Sequence, residues 1–139
     1  MDSVGALIGY AYNGTTVDSV SVAGTLIKGH DAVCGVVGRV SLRAAATSIT
    51  NCSNSARIES DIVCAGVARV YDKADGYSFT FKNNSNTGAV VTSSAKAYGD
   101  SLLVYAGSVT ITDNTGNTHM GHPAESSVVT GDTSEKKLS

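Results

Sequence analysis

Asp31-Ala-Val-Cys-Gly-Val-Val-Gly-Arg-Val40 returns thirty residues later as Asp61-Ile-Val-Cys-Ala-Gly-Val-Ala-Arg-Val70. Asp, Val, Cys, Val, Arg and Val recur in place. A chain that repeats itself at such a spacing is built from stacked units. Asp2 to Ala11 matches Asp31 to Val40 at an offset of twenty-nine, and Asp100 to Val109 follows Asp61 by thirty-nine. Asp2, Asp31, Asp61 and Asp100 therefore share one position. A second block follows each first block: Val17 to Leu26, Ile49 to Ile58, Phe81 to Val90, and a shorter Ile111 to Thr118. The units lie near 2–30, 31–60, 61–99 and 100–120. Residues 121–139 break the pattern, hold the single proline, Pro123, and read as a polar, flexible tail.

Short runs of Val, Ile and Thr broken by Gly and Asn predict an all-β chain. No stretch carries the 3.6-residue apolar period of a long helix. Each unit reads as strand, variable turn, strand, tight Asn/Gly turn, strand. One unit cannot bury its own apolar face, but stacked units can. The expected fold is a single β-solenoid of about four coils, over residues 1–120.

The formal charge is −2 with 16% charged residues, so there is no broad basic surface for nucleic acid and no polybasic membrane patch. No uninterrupted apolar run is long enough to cross a bilayer, and Met1-Asp2-Ser3 lacks the basic start of a signal peptide. The abrupt start and end relative to the repeats read as a piece of a longer protein. Cys34, Cys52 and Cys64 cannot all pair within one chain, and neither a Cys-x-x-Cys nor a Cys/His cluster is present. No metal and no cofactor is expected.

Alternation along the first strand places Cys34, Val36, Val40, Cys64, Val70 and Leu7 inward. Cys34 and Cys64 would then stack as buried thiols that act as small hydrophobes. The opposite face carries Val4, Ile8, Val33, Val37, Val63, Val67, Leu102 and Ala106, with Arg39 and Arg69 at one end. A strand apolar on both faces is covered on both, or exposes an interaction surface. Val33, Val37, Val63, Val67 and Ile8 are the candidate interface. The aspartates open each strand at a corner, bonding backbone N–H groups. Asn54 aligns with Asn86, Asn51 with Asn83, and Cys52 with Val20, Asn84 and Asn114. Stacked amides bond along the coil axis, and asparagine tolerates left-handed turns.

No Ser/His/Asp arrangement can be placed, and no catalytic residue is assigned. Tyr71, Asp72, Lys73, Asp75 and Tyr77, in the longest variable turn, form the candidate ligand site. Tyrosines there, with Tyr12, suit stacking on sugars.

Gly5-Ala-Leu-Ile-Gly9 and Gly35-Val-Val-Gly38, each followed by Ile/Val-x-x-Cys/Val-x-Asn/Val-x-Gly/Ala-x-Ile/Val, resemble GLUG-type repeats. Ile49-Thr-Asn-Cys-Ser-Asn-Ser and Asn83-Asn-Ser-Asn-Thr-Gly-Ala-Val90 are the closest matches. Ala65-Gly-Val-Ala departs by lacking the paired glycines. The resemblance covers about Asp2 to Met120. It implies a right-handed parallel β-helix in a large secreted or cell-surface protein of bacteria or protists, with an adhesive or stalk role. It carries over no catalytic residue. The expected function is a non-catalytic structural or adhesive module, associating with itself or with flanking repeats. The alternative is a β-helix that binds or cleaves carbohydrate, with glycans as partners.

Overall fold

A computed structural model of the chain describes residues 2–12, 14–43, 45–73, 77–92, 98–100, 102–105, 111–117 and 122–123. Every regular element among them is a strand, and every pairing is parallel. The chain passes through five sheets in a fixed order. The first passage is β1 (Val4–Gly5), β2 (Ile8–Ala11), β3 (Thr16–Asp18), β4 (Ser21–Val22) and β5 (Leu26–Gly29). The second is β6 (Val33–Cys34), β7 (Val37–Leu42), β8 (Thr47–Thr50), β9 (Ser53–Asn54) and β10 (Arg57–Ser60). The third is β11 (Val63–Ala65), β12 (Ala68–Lys73), β13 (Phe79–Lys82), β14 (Ser85–Asn86) and β15 (Val90–Thr92). Then come β16 (Tyr98–Asp100), β17 (Leu103–Tyr105) and β18 (His122–Pro123). The sheet orders are β1-β6-β11-β16, β18-β17-β12-β7-β2, β13-β8-β3, β14-β9-β4 and β15-β10-β5. Each strand lies beside its counterpart one passage away, which makes the fold solenoid-like.

The second blocks stack as their sequence alignment predicts. Val17, Ile49 and Phe81 are neighbours, as are Ser21, Ser53 and Ser85. Like rests on like, and the interior fills by apposition of equivalent residues. Phe79, Phe81, Ile49 and Leu42 form the main core with Val36, Val37, Val40, Val67, Leu102 and Leu103. Full burial of each large side chain contributes about 1.5–3 kcal/mol.

The first and second blocks pair at the expected offset, Val4 with Val33, but the third slips by one residue, so that Val33 pairs with Cys64. Cys34 lies between Gly5 and Ala65. Cys34 and Cys64 therefore face opposite ways, because a one-residue slip turns every side chain over. The last passage is displaced further: Asp100 pairs with Ala65 rather than sharing the position of Asp61.

Val33, Val37, Val63 and Val67 are not an outer face. All four are at most 3% exposed, and Ile8 is half-buried against the main core. Two features account for this. The chain bends at Gly35 and Val36, so the alternation restarts, and Val36 and Val37 enter the same core. The short first sheet is also covered on both sides from within the chain. Val33 and Cys64 pack with Ile58 and Val90, while Cys34 packs with Val63, Ala65 and Val104. Glycine permits the close approach: a Cβ on Gly38 would lie 2.6 Å from the Val4 nitrogen and oxygen.

Candidate functional site

Three asparagine columns hold the passages together. Asn51 and Asn83 turn the chain in the left-handed region (φ 54° each), as does Ser19 (φ 57°). Asn83 Nδ2 donates to Asn51 Oδ1, and Asn51 Nδ2 donates to Asp18 Oδ1 (3.1 and 2.7 Å). Thr50 and Ser19 also donate to the Asp18 carboxylate. Those bonds, Thr50's foremost and then those of Asn51 and Ser19, hold this carboxyl below the usual range. In the second column, buried Asn54 Nδ2 donates to Asn86 Oδ1 at 2.8 Å. Each of these two also closes its own turn, bonding the N–H and C=O two residues on.

The third column is interior and runs Val20, Cys52, Asn84, Asn117. Asn84 Oδ1 accepts from the Cys52 N–H, and Asn84 Nδ2 donates to the Ile49 carbonyl, both at 2.9 Å. Asn117 treats the next passage in the same way: its Oδ1 accepts from the Asn84 N–H, and its Nδ2 donates to the Phe81 carbonyl. Cys52 occupies an amide's place with a thiol, which donates to the Val17 and Thr50 carbonyls. Burial pushes that thiol's pKa up, and burial does the same to Cys34. Asn117, not Asn114, continues the column. Its signal in the sequence is Gly116, which takes the left-handed turn (φ 75°) held by Asn83 one passage earlier.

Charges lie at the corners and on the rim. Asp31 bonds the Ala32 N–H and the Arg69 guanidinium (2.8 and 3.2 Å), the corner role expected of it. His30 meets Asp61 at 3.0 Å, and that bond raises the imidazole pKa. Glu59 is held below the usual carboxyl range by Arg57 first and then by Lys28. A cleft of about 160 Å³ lined by Lys28, Glu59, Ser60 and Asp61 contains these engaged groups. Among the described residues, no three His, Cys, Asp or Glu side chains converge as a metal site would require.

The candidate ligand turn is placed only in part. Tyr71, Asp72 and Lys73 end β12, Tyr77 is exposed, and Asp75 lies outside the described residues. The exposed aromatic pair is instead Tyr10 and Tyr12, with ring centroids 6.1 Å apart. The Arg39 guanidinium lies 5.2 Å from the Tyr10 ring centre.

The first passage forms one end of the stack. β1, β2, β3, β4 and β5 are each the terminal strand of their sheet, so their outer N–H and C=O groups line an open edge. Val4, Ile8, Val20, Val22 and Ile27 are half-buried there, whereas Val33, Val37, Cys52, Asn54 and Ile58, their counterparts one passage on, are at most 2% exposed. Leu7, expected inside, is 53% exposed, and Leu26 is 48% exposed. Leu7 rises beside a groove of about 290 Å³ lined by Ala6, Val20, Ser21, Val22 and Ala23. The repeat pattern alone gave no sign of this, because the same residue types are buried wherever another passage covers them. At the opposite edges of the same sheets, β16, β18, β13, β14 and β15 are terminal in the same way. No family model, no curated protein and no solved structure matches the chain.

Proposed function

We propose that the chain is a non-catalytic structural or adhesive repeat module of a secreted or cell-surface protein. It is read as a right-handed parallel β-helix of about four coils, of the kind that GLUG-type repeats resemble. The observation that supports this most is the stacking of like on like: all five sheets are built of parallel strands one passage apart, with equivalent residues as neighbours. In a stack of repeats, stability grows with each added neighbour contact. Duplicating residues 31–60 in tandem should therefore give one cooperative unfolding transition with a midpoint higher by about 2–4 °C or more, the shift that about 1 kcal/mol produces in a chain of the duplicated length. A second, separate transition or a lowered midpoint would sink the stacking module.

Glycan binding is the second reading, supported by the exposed Tyr10 and Tyr12 rings. Such rings offer an apolar face to a sugar with a polar edge beside it. A glycan array should then show binding that Tyr12→Ala removes, and an array without hits discards this alternative.

A further inference from the structure

We propose that the corner joining the first passage to the second is a pH-sensitive latch, in which the protonated His30 imidazole clamps the Asp61 carboxylate of the next corner. The latch goes beyond the repeat module and does not depend on it. The main chain already makes a joint here. The His30 carbonyl, just after β5, accepts from the Asp61 and Ile62 N–H groups, both at 3.1 Å, and from Ser60 Oγ at 3.0 Å. The His30 side chain reaches the same place: Nδ1 lies 3.0 Å from Asp61 Oδ2. One residue thus holds the next corner by both its backbone and its ring.

The joint is under strain. Ala32, two residues on, is fully buried with φ 43°, in the left-handed region that a Cβ disfavours. Side chains hold it there: the Asp31 carboxylate accepts from the Ala32 N–H at 2.8 Å and from the Arg69 guanidinium at 3.2 Å. A strained bend persists only while its surroundings over-determine it. One of the groups that do so here is an imidazole, which titrates near neutrality.

Charge around the ring favours the proton. The bond to Asp61 is the largest influence; desolvation opposes it, and the charges of Asp61, Asp2 and Asp31 add to it. The cations beside them are engaged: Lys28 on β5 with Glu59 on β10 at 3.2 Å, and Arg69 on β12 with Asp31. The folded ring therefore titrates above the ordinary value of 6.5. Its contribution is complete below that ordinary value and is lost as the pH rises through the folded one. The latch is set in mildly acid surroundings and released above neutrality. Ring and carboxylate are 63% and 55% exposed, so the pair is screened and its action stays local.

A histidine titration and native-state hydrogen exchange of the full chain, both read by NMR, test this. The His30 ring should titrate above about 6.5, and Asp61→Asn should bring it back toward that value. Protection of the Asp61 and Ile62 amides, corrected for intrinsic rates, should be about two- to five-fold greater at about pH 5.5 than at about pH 8, the range seen for exposed ion pairs. His30→Gln keeps the carbonyl and loses the charge, so it should remove that difference. The Ser85 amide, bonded to the Cys52 carbonyl elsewhere in the stack, should show none in the parent. A ring that titrates at or below about 6.5, or a His30→Gln chain that keeps the difference, overturns the latch. A difference shared equally by the Ser85 amide overturns its local action.

Discussion

Gly35→Ala is expected to destabilise the chain by about 3 kcal/mol or more. A Cβ at this position would lie 2.1 Å from the Gly66 carbonyl oxygen and 2.6 Å from Asn54 Cγ. The first obstacle is backbone of the next passage. The second is a buried side chain bonded to Ala56 and Asn86. Neither can move aside cheaply: shifting Gly66 separates two paired passages, and shifting Asn54 breaks a ladder. Overpacking a close-packed interior costs about 1–3 kcal/mol and occasionally more. Here the added carbon overlaps backbone, so the upper end of that range or beyond is expected. Proteins of ordinary stability have only about 5–15 kcal/mol to lose. Urea denaturation checks the result. A midpoint within error of the parent would mean that the passages are not held as closely as described.

Asn84→Ala is the second large effect. Asn84 is fully buried and satisfies two main-chain groups of the preceding passage, the Cys52 N–H and the Ile49 carbonyl. Both of those residues are 1% exposed, so water does not replace the lost amide. Each orphaned buried group costs about 1–3 kcal/mol, giving a loss of about 2–6 kcal/mol. Asn83→Gly is the informative contrast. Asn83 is an exposed neighbour whose left-handed backbone glycine adopts freely, and it forfeits only an exposed amide bond. Its loss should stay under about 1 kcal/mol. Equal midpoints for the two variants would show that the interior column is not what holds the bends.

Much of the architecture was legible because the second blocks carry their own anchor. An asparagine or serine at the left-handed turn fixes where each interior residue must fall, and Val17, Ile49 and Phe81 align at a spacing of thirty-two. The first blocks lack such an anchor. The offset of twenty-nine between the first two blocks holds, but matching the cysteines gave thirty between the second and third, where Val33 pairs with Cys64 at thirty-one. Register also shifts within the pairing of β7 and β12. Residue identity cannot reveal such slips, because valine and cysteine are equally at home on either buried face. The covering of Val33 and Val63 from within the chain was hidden for the same reason. It depends on a bend at Gly35 and close approach at Gly38, not on any change in hydrophobic pattern. Exposure of Leu7 was not legible either, since an edge is defined by the neighbour that is missing.

The third asparagine column gives the stack a direction in time. Asn84 completes the bend before it, and Asn117 completes that of Asn84. Every debt is settled by a residue about thirty-three positions later. During synthesis from the amino terminus, a bend stays unfinished until the following passage leaves the ribosome. This column is thus closed from the amino end, like a zip whose slider travels one way, each of these two bends completed by the asparagine that follows it.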